Sequence, residues 1–351
     1  MAARLVLAAA LLAVASPQSL RASVVIGKTF LAGSTDPTAG STAWALTSHG
    51  IAEKLFTVNK KGNIVGQVAE SVAKIDKLTW EVTLKDGYLF SDGTAVTAQR
   101  VANALTELNT KNSGAQASLG MMGITAVDGL TMRIVSERAT PVMDAVLAEW
   151  PFVVYLKKDG NRFFTGPFAV KNFVKDDSFE LEPNEHYPRA ELRPWVTVKR
   201  FPDGQSLASA LEAGEVDLAF HLPVDGLSGL RDQAGITIKS FEVGYHYMMW
   251  HNIRKPHLSD VRVRRALDIA LDRSELAQEL RGGRATRSLF PDYTPYFLDN
   301  SQQNADKSGA EALLDEAGWV KDADGHRAKD GVHLALDLVA YPQRPGLVIM
   351  Q

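Results

Sequence analysis

The sequence predicts a mixed α/β protein with enough chain for two domains, on three observations. Leu78, Trp80, Val82 and Leu84 alternate with Thr79, Glu81 and Thr83, the pattern of a strand with one buried face. Val101, Ala104, Leu105 and Leu108 recur at helical spacing behind Thr97, whose hydroxyl can accept a hydrogen bond from the free N–H groups of a first helical turn. The chain has 351 residues, 45% apolar and 23% charged, ordinary for a folded protein and long enough to close two cores. Between strand and helix, Lys85-Asp86-Gly87 turns into a short second strand, Tyr88-Leu89-Phe90. Ser91-Asp92-Gly93-Thr94 turns again, with Gly93 free to take positive φ.

The N-terminus is a separate element. Arg4 makes a short basic start, and Leu5 to Ala15 is an apolar run too short to span a bilayer. Ser16-Pro17 breaks it and small residues follow. This reads as a secretory signal peptide over residues 1–22, cleaved after Ala22 or, as the alternative, after Ala15. The mature chain is then expected to be soluble in a periplasm. The sequence has no cysteine. That excludes disulfides, thiol chemistry, Cys-ligated zinc and a lipid anchor on a mature N-terminal cysteine. A net charge of −3 offers no basic excess for nucleic acid or an anionic membrane.

The remaining elements follow in order. Ser23 to Leu31 predicts a first strand and Asp36-Pro37 a loop. Ala43 to Phe56 predicts a helix, ending before the Lys60-Lys61-Gly62-Asn63 turn. Asp128-Gly129 turns into a strand over Leu130 to Val135, and Ala139 to Trp150 reads as a helix. Val196 to Phe201 is a strand. Ser206 to Leu218 reads as a helix, a stop at Gly214 and the start of another strand. Tyr245 to Ile253 reads as a strand. Ser259 is placed to cap a helix with Val263, Leu267, Ala270 and Leu271 on one face, and Asp272 with Glu275 forms a capping box for the next. Lys307 to Ala317 is a helix closed by Gly318, and Val332 to Val339 alternates as a strand.

Several of these stretches carry a resemblance. KDGYLFSDGTAVTAQRV, from Lys85 to Val101, resembles a segment shared by the family 5 extracellular solute-binding proteins. These are the periplasmic receptors of ABC importers for dipeptides, oligopeptides and nickel. Glu53-Lys54-Leu55, Val68-Ala69-Glu70-Ser71, Thr165-Gly166-Pro167-Phe168 and Phe179 to Tyr187 are similar to family patterns in the same order. So are SLASALEAGEVDL from Ser206, Asn252, DVRVRRALDIALDRSEL from Asp260 to Leu276, and ALLDEAGW from Ala312. Phe164 stands where the family has a glycine.

The resemblance covers nearly the whole mature chain. It implies a two-lobed periplasmic-binding-protein fold, type II-like, with the extra subdomain of the peptide-binding members around residues 57–150. The first lobe would span 23–243 and the second would begin at 244, with hinge strands near Glu242 to Tyr247. Ligand would lie in the cleft and favour the closed form by touching both lobes. That form would dock, as a monomer, on a membrane permease driven by an ATPase. Family members continue beyond the position of Gln351, so the chain is expected to be truncated within the second lobe. Peptide is the leading ligand class, since main-chain hydrogen bonds and terminal charges bind many peptides without reading side chains. In nickel-binding members a first-lobe arginine helps hold the chelate; the matching segment, Trp150 to Val153, has none, which lowers that reading.

No nucleophile elbow, zinc-protease helix, phosphate loop or dinucleotide fingerprint is present, so no catalytic residue is assigned and no cofactor is expected. Asp322-Ala323-Asp324-Gly325 reads as a surface turn. His246, Met248, Met249, His251 and His257 are close in sequence, but in a strand His246 and His251 face opposite sides, so no metal centre is assigned. The ligand-binding candidates are Trp44, Met121, Trp150, Phe220, Tyr245, Tyr247, Trp250 and Asn252, chiefly polar or aromatic side chains at element ends. Packing competes with ligand contact at each. A nickel-chelate or other small-solute receptor is the alternative within the family. A secreted hydrolase is the alternative outside it, and would need a nucleophile and base that the sequence does not display.

Overall fold

Gly27 sets the layout of the first sheet, because a Cβ there would come within 2.3 Å of the Leu207 side chain on the helix that crosses behind it. The computed structural model describes residues 23–220, 222, 227, 229–239, 246–280, 283–292, 294, 296–298, 305–340 and 345–351. The expected signal peptide and the hinge residues Glu242 to Tyr245 lie outside them. The described residues form two compact units that divide between His221 and Leu222. None of their helices is long and apolar enough to cross a membrane.

The first unit opens with β1, Ser23–Lys28, whose β-branched Val24-Val25-Ile26 run suits an extended chain. Helix α1 covers only Thr42–Ser48, not the expected stretch to Phe56. Gly50 at φ 73° ends it. Its N–H bonds to the Thr47 carbonyl at 3.1 Å, and that of Ile51 to the Leu46 carbonyl at 3.0 Å, with Leu46 and Ile51 both buried. This left-handed termination satisfies the final carbonyls and releases the chain into β2, Glu53–Lys54, and β3, Phe56–Val58. β3 pairs with β4, Ile64–Gly66.

Next come β5, Ala69–Lys74, and β6, Thr79–Leu84. Trp80, Val82 and Leu84 are buried while their neighbours are not, as the alternation predicts. The expected strand Tyr88 to Phe90 is reduced to one bridge, Leu89 to Ala95. Gly87 and Gly93 both take positive φ and leave too little chain between turns for a ladder. Helix α2, Ala98–Lys111, starts at Thr97, whose hydroxyl accepts from Arg100 N at 3.4 Å. It buries Val101, Ala104, Leu105 and Leu108. The short α3, Ser113–Ala117, leads to β7, Met122–Ala126, and β8, Thr131–Ser136. These complete an antiparallel sheet of order β5-β6-β8-β7.

Helix α4 is Met143–Leu147, shorter than expected at both ends. Pro141 disfavours helical backbone at Thr140, and Pro151 does the same at Trp150. The hairpin of β9, Val153–Lys158, and β10, Asn161–Phe164, turns through Asp159 and Gly160, both at positive φ as a tight two-residue hairpin requires. Then follow β11, Phe168–Val174, β12, Ser178–Pro183, and β13, Trp195–Arg200. Helix α5, Gly204–Glu212, begins earlier than Ser206 because Asp203 is the cap: its carboxylate accepts from Ser206 N at 2.7 Å, and Ser206 Oγ accepts from Asp203 N at 3.4 Å. Gly214 at φ 72° stops the chain, and β14, Leu218–Ala219, follows. The main sheet has the order β11-β12-β13-β1-β14, with β1 parallel to both β13 and β14. One connected core runs from Val82 and Ile134 through Phe152 to Phe179 and Val196.

In the second unit, α6 is Pro256–Ser259 and α7 is Val261–Ala270. The cap of α7 is Asp260, not Ser259: its carboxylate accepts from Arg262 N at 2.8 Å, and the aspartate backbone is extended while Ser259 already belongs to the preceding turn. α8, Arg273–Glu279, is capped by Asp272, which accepts from Ser274 N and Glu275 N. α9, Lys307–Glu316, packs on α7, burying Val263, Ala266 and Ala310, and ends at Gly318. β15, Val320–Lys321, β16, Arg327–Lys329, and β17, Val332–His333, form a small sheet. α10 is Pro345–Met350. Two expected strands do not form. Residues 246–253 are unpaired, and of Val332 to Val339 only the first two residues join a ladder. Among the described residues no strand pairs with 246–253, and beyond Leu334, whose N–H still donates to the Arg327 carbonyl at 2.8 Å, none continues beside the second stretch.

Candidate ligand site at the carboxyl end of the parallel strands

The connectivity around β1 singles out one edge. From β1 the chain leaves to α1, and from β13 it crosses by α5 to β14 on the other side of β1. Gly27 faces α5, where its absent side chain makes room for Leu207, Phe201 and Val216. Side chains alternate along a strand, so Lys28 faces the opposite side, toward the end of α1. Successive helices on opposite faces leave a crevice beyond the carboxyl ends of the strands, where open α/β sheets receive ligands.

Lys28, Phe30, Trp44, His49 and Phe220 gather at that edge. Lys28 Nζ is 3.4 Å from His49 Nδ1 and 4.9 Å above the Phe220 ring. Phe220 is held by its N–H, which donates to the Gly27 carbonyl at 3.0 Å. The Phe30 and Trp44 rings pack with centroids 5.3 Å apart and planes inclined by 44°. His49 is buried, and its ring lies 5.7 Å from that of Phe179. Lys28 and Ser48 Oγ both approach Nδ1, which leaves the proton on Nε2, a buried atom with no partner. Burial lowers the Lys28 pKa to about 8, and burial followed by the Lys28 charge lowers that of His49 to about 3. At neutral pH the lysine is therefore mostly charged and the histidine neutral.

A second polar cluster is enclosed. Glu53, 3% exposed, accepts from Tyr187 Oη at 2.9 Å and Gln67 Nε2 at 3.3 Å. Burial raises its pKa against those hydrogen bonds and pushes Tyr187 up to about 12. The cluster ties β2 to the segment after β12 and is a structural bolt. A cavity of about 250 Å³ elsewhere in the unit is lined by Glu182, Glu185, His186 and Trp195 among others.

Of the residues expected from the sequence, Trp44 and Phe220 come to the carboxyl edge. Met121 is exposed at the start of β7, where its N–H donates to Glu137. Trp150 packs on the core beside Gly114, so close that a Cβ there would lie 2.8 Å from the indole. Tyr247, Trp250 and Asn252 belong to the second unit and are exposed. Asn252 Oδ1 accepts from Arg254 N at 3.2 Å in a turn, and the Tyr247 hydroxyl lies near Gly346 of α10. Tyr245 lies outside the described residues. Lys28 and His49 were missed by sequence reasoning, because a lysine at the end of an apolar strand reads as a solvated terminus. Among the described residues no three His, Cys, Asp or Glu side chains gather as a metal site.

Comparison with known proteins places this geometry. Residues 63–348 match the family described as bacterial extracellular solute-binding proteins, family 5 Middle. The nickel-binding protein NikA of Staphylococcus aureus is 27% identical over 308 residues, covering 85% of this chain and 60% of NikA. The periplasmic murein peptide-binding protein MppA of Escherichia coli is 26% identical over 308 residues, covering 76% of this chain and 57% of MppA. The chain thus spans about three fifths of the length of these relatives. The crystal structure of Staphylococcus aureus NikA in complex with Ni(L-His)2 matches with a TM-score of 0.71 at 25% identity, over 85% of this chain and 65% of that one. The mixed α/β architecture expected from the sequence is the architecture of these receptors. With the family match running through both units, the chain belongs to the family 5 bacterial extracellular solute-binding proteins.

Proposed function

We propose that this chain is the substrate-binding component of an ABC importer that captures di- or oligopeptides in the periplasm. The observation that carries the reading is the carboxyl edge of β1 and β14, where the Phe220 ring faces the Lys28 ammonium, in a chain of this family. Relatives named for peptide binding, MppA among them, support it. In this reading residues 1–22 direct export, residues 23–243 form the first lobe with its extra subdomain at 57–150, and residues from 244 begin the second. The receptor works as a monomer and delivers to a membrane permease with its ATPase. The family consists of binding proteins, and we read this chain as one rather than as an enzyme.

A nickel chelate is the second reading, favoured by the match to NikA bound to Ni(L-His)2. Calorimetric titration with trialanine and with Ni(L-His)2 separates the two. Weak peptide binding, with the chelate at least tenfold weaker still, is the expected result. The reverse order overturns the peptide reading. N-terminal sequencing of exported protein should begin near Ser23 or Ser16, and retention of Met1 would remove the export assignment.

A further inference from the structure

The small sheet of the second unit sorts its polar side chains onto two faces. Lys321 stands opposite Arg327, and Lys329 lies two residues along the same strand, so the three share one face. Each is committed to α9 or to the turn that ends it: Lys321 to Glu311 at 2.7 Å, Arg327 to Asp315 and the Trp319 carbonyl, Lys329 to the Ala317 carbonyl at 2.8 Å. The other face carries Asp322, His326 and His333. Two turns fix the register that brings them together. Asp330 and Gly331, at φ 52° and 79°, make a two-residue hairpin that sets His333 opposite Ala328. His326, two positions before Ala328, is then the diagonal neighbour of His333, and the alanine is too small to part them. In the turn before β16, Asp322 Oδ1 accepts from Asp324 N at 3.0 Å and from His326 N at 2.9 Å. Its Oδ2 lies 3.6 Å from His333 Nδ1. The His326 and His333 rings stand edge to face with centroids 6.0 Å apart. Both are exposed, so neither ring serves to fill a core.

We propose that His326 and His333 together hold a divalent metal ion of the zinc, nickel and copper class, with Asp322 orienting His333. Imidazole is a ligand that these ions share. Bonds of about 2.0–2.1 Å from one nitrogen of each ring put the centroids of two rings on one ion no more than about 6.5 Å apart. The observed separation lies inside that limit. The Asp322 carboxylate faces Nδ1 of His333, which favours the proton there and leaves the Nε2 lone pair for the metal. The lysines and the arginine, tied to α9, are turned away from the metal face. The chain supplies two ligands rather than three and water completes the shell, so the ion binds more weakly than at a closed centre and exchanges freely. Bound there, it fastens the turn before β16 to the end of β17, where the ladder stops. The inference concerns the second unit alone and does not depend on the ligand class proposed above.

Titration of the full chain with zinc chloride tests it. The readout is the ring-nitrogen resonances of 15N-histidine-labelled protein, with the two residues identified by their loss in His326→Ala and His333→Ala. Both imidazoles should respond together and saturably to Zn2+, and neither to Mg2+, which takes oxygen ligands. Calorimetry should show the affinity falling about tenfold or more in either single variant and no further in the double variant, because one imidazole alone does not chelate. Asp322→Asn keeps the oxygen that the turn uses and should weaken Zn2+ about tenfold. An unchanged affinity in that variant would strike Asp322 from the site. Melting curves recorded without metal are the folding control. A response of one imidazole without the other, or of neither up to millimolar Zn2+, would overturn the proposal and leave only a packed pair of rings.

Discussion

Residues 79–84 and residues 246–253 both read as strands in the sequence and meet opposite fates. The first becomes β6, paired on one side with β5 and on the other with β8, Trp80 standing opposite Lys74 and Ile134. The second pairs with nothing described. Trp80 is 6% exposed and Trp250 83%. Alternation states which face a strand would bury, but the strand forms only where a neighbour supplies hydrogen-bond partners and a surface covers that face. Val332 to Val339 repeats the lesson: the ladder stops after His333, and Leu336, Leu338 and Val339 stay exposed.

The sharpest way to break this contrast is to truncate the buried tryptophan. Trp80→Ala should cost about 3–5 kcal/mol, read as a lower denaturation midpoint in urea. A negligible change would mean that the face is not covered.

His49 comes next in size, because its environment is as closed as that of Trp80. Its folded pKa, about 3, lies below the ordinary imidazole value of 6.5. Between those values the unfolded chain binds a proton that the folded chain refuses. Stability from this residue is present above pH 6.5 and is lost as pH falls toward 3, on the order of 2–4 kcal/mol across the window. Glu53 opposes it: a raised carboxyl pKa leaves the folded state holding a proton that the unfolded state has released, so its contribution falls as pH rises above 4.5. His49→Gln should therefore flatten the acid limb of the stability profile. An unchanged slope would show the imidazole to be solvated. His251, in the unpaired stretch, should give a smaller effect when replaced by Gln.

A smaller cost is expected for Asp203→Ala, which removes the cap of α5. It tests whether the crossover helix is held by its cap as well as by its packing against Gly27. Smallest of all, Trp250→Ala should change stability by no more than about 0.5 kcal/mol. A loss near that of Trp80→Ala would show that the two stretches are not the opposites described here.

Elements with a local cause were legible in the sequence. β6 followed from its alternation, α2 from Thr97 and its apolar stripe, and the stops at Gly214 and Gly318 from glycine's freedom at positive φ. Lengths set by tertiary partners were not. The end of α1 depends on Ile51 closing onto Leu46, and the start of α4 on Pro141, although apolar residues continue at helical spacing past both. The site was half legible. Trp44 and Phe220 stood out as aromatics at element ends. Lys28 and His49 did not, because what matters about them is that they meet each other beside Phe220, and that is a property of the folded neighbourhood.

The position of β1 has a kinetic consequence. It is the first strand in the described chain, yet it lies inside the main sheet, and the Val25 N–H meets the Asp217 carboxylate across 192 positions of sequence. Neither flanking strand exists until the chain has been made through Arg200 and then Ala219. Contacts of such long sequence separation close slowly, because the loop entropy must be met before the pairing rewards it. The main sheet therefore closes late, after the sheet of β5 to β8 has all the strands it needs.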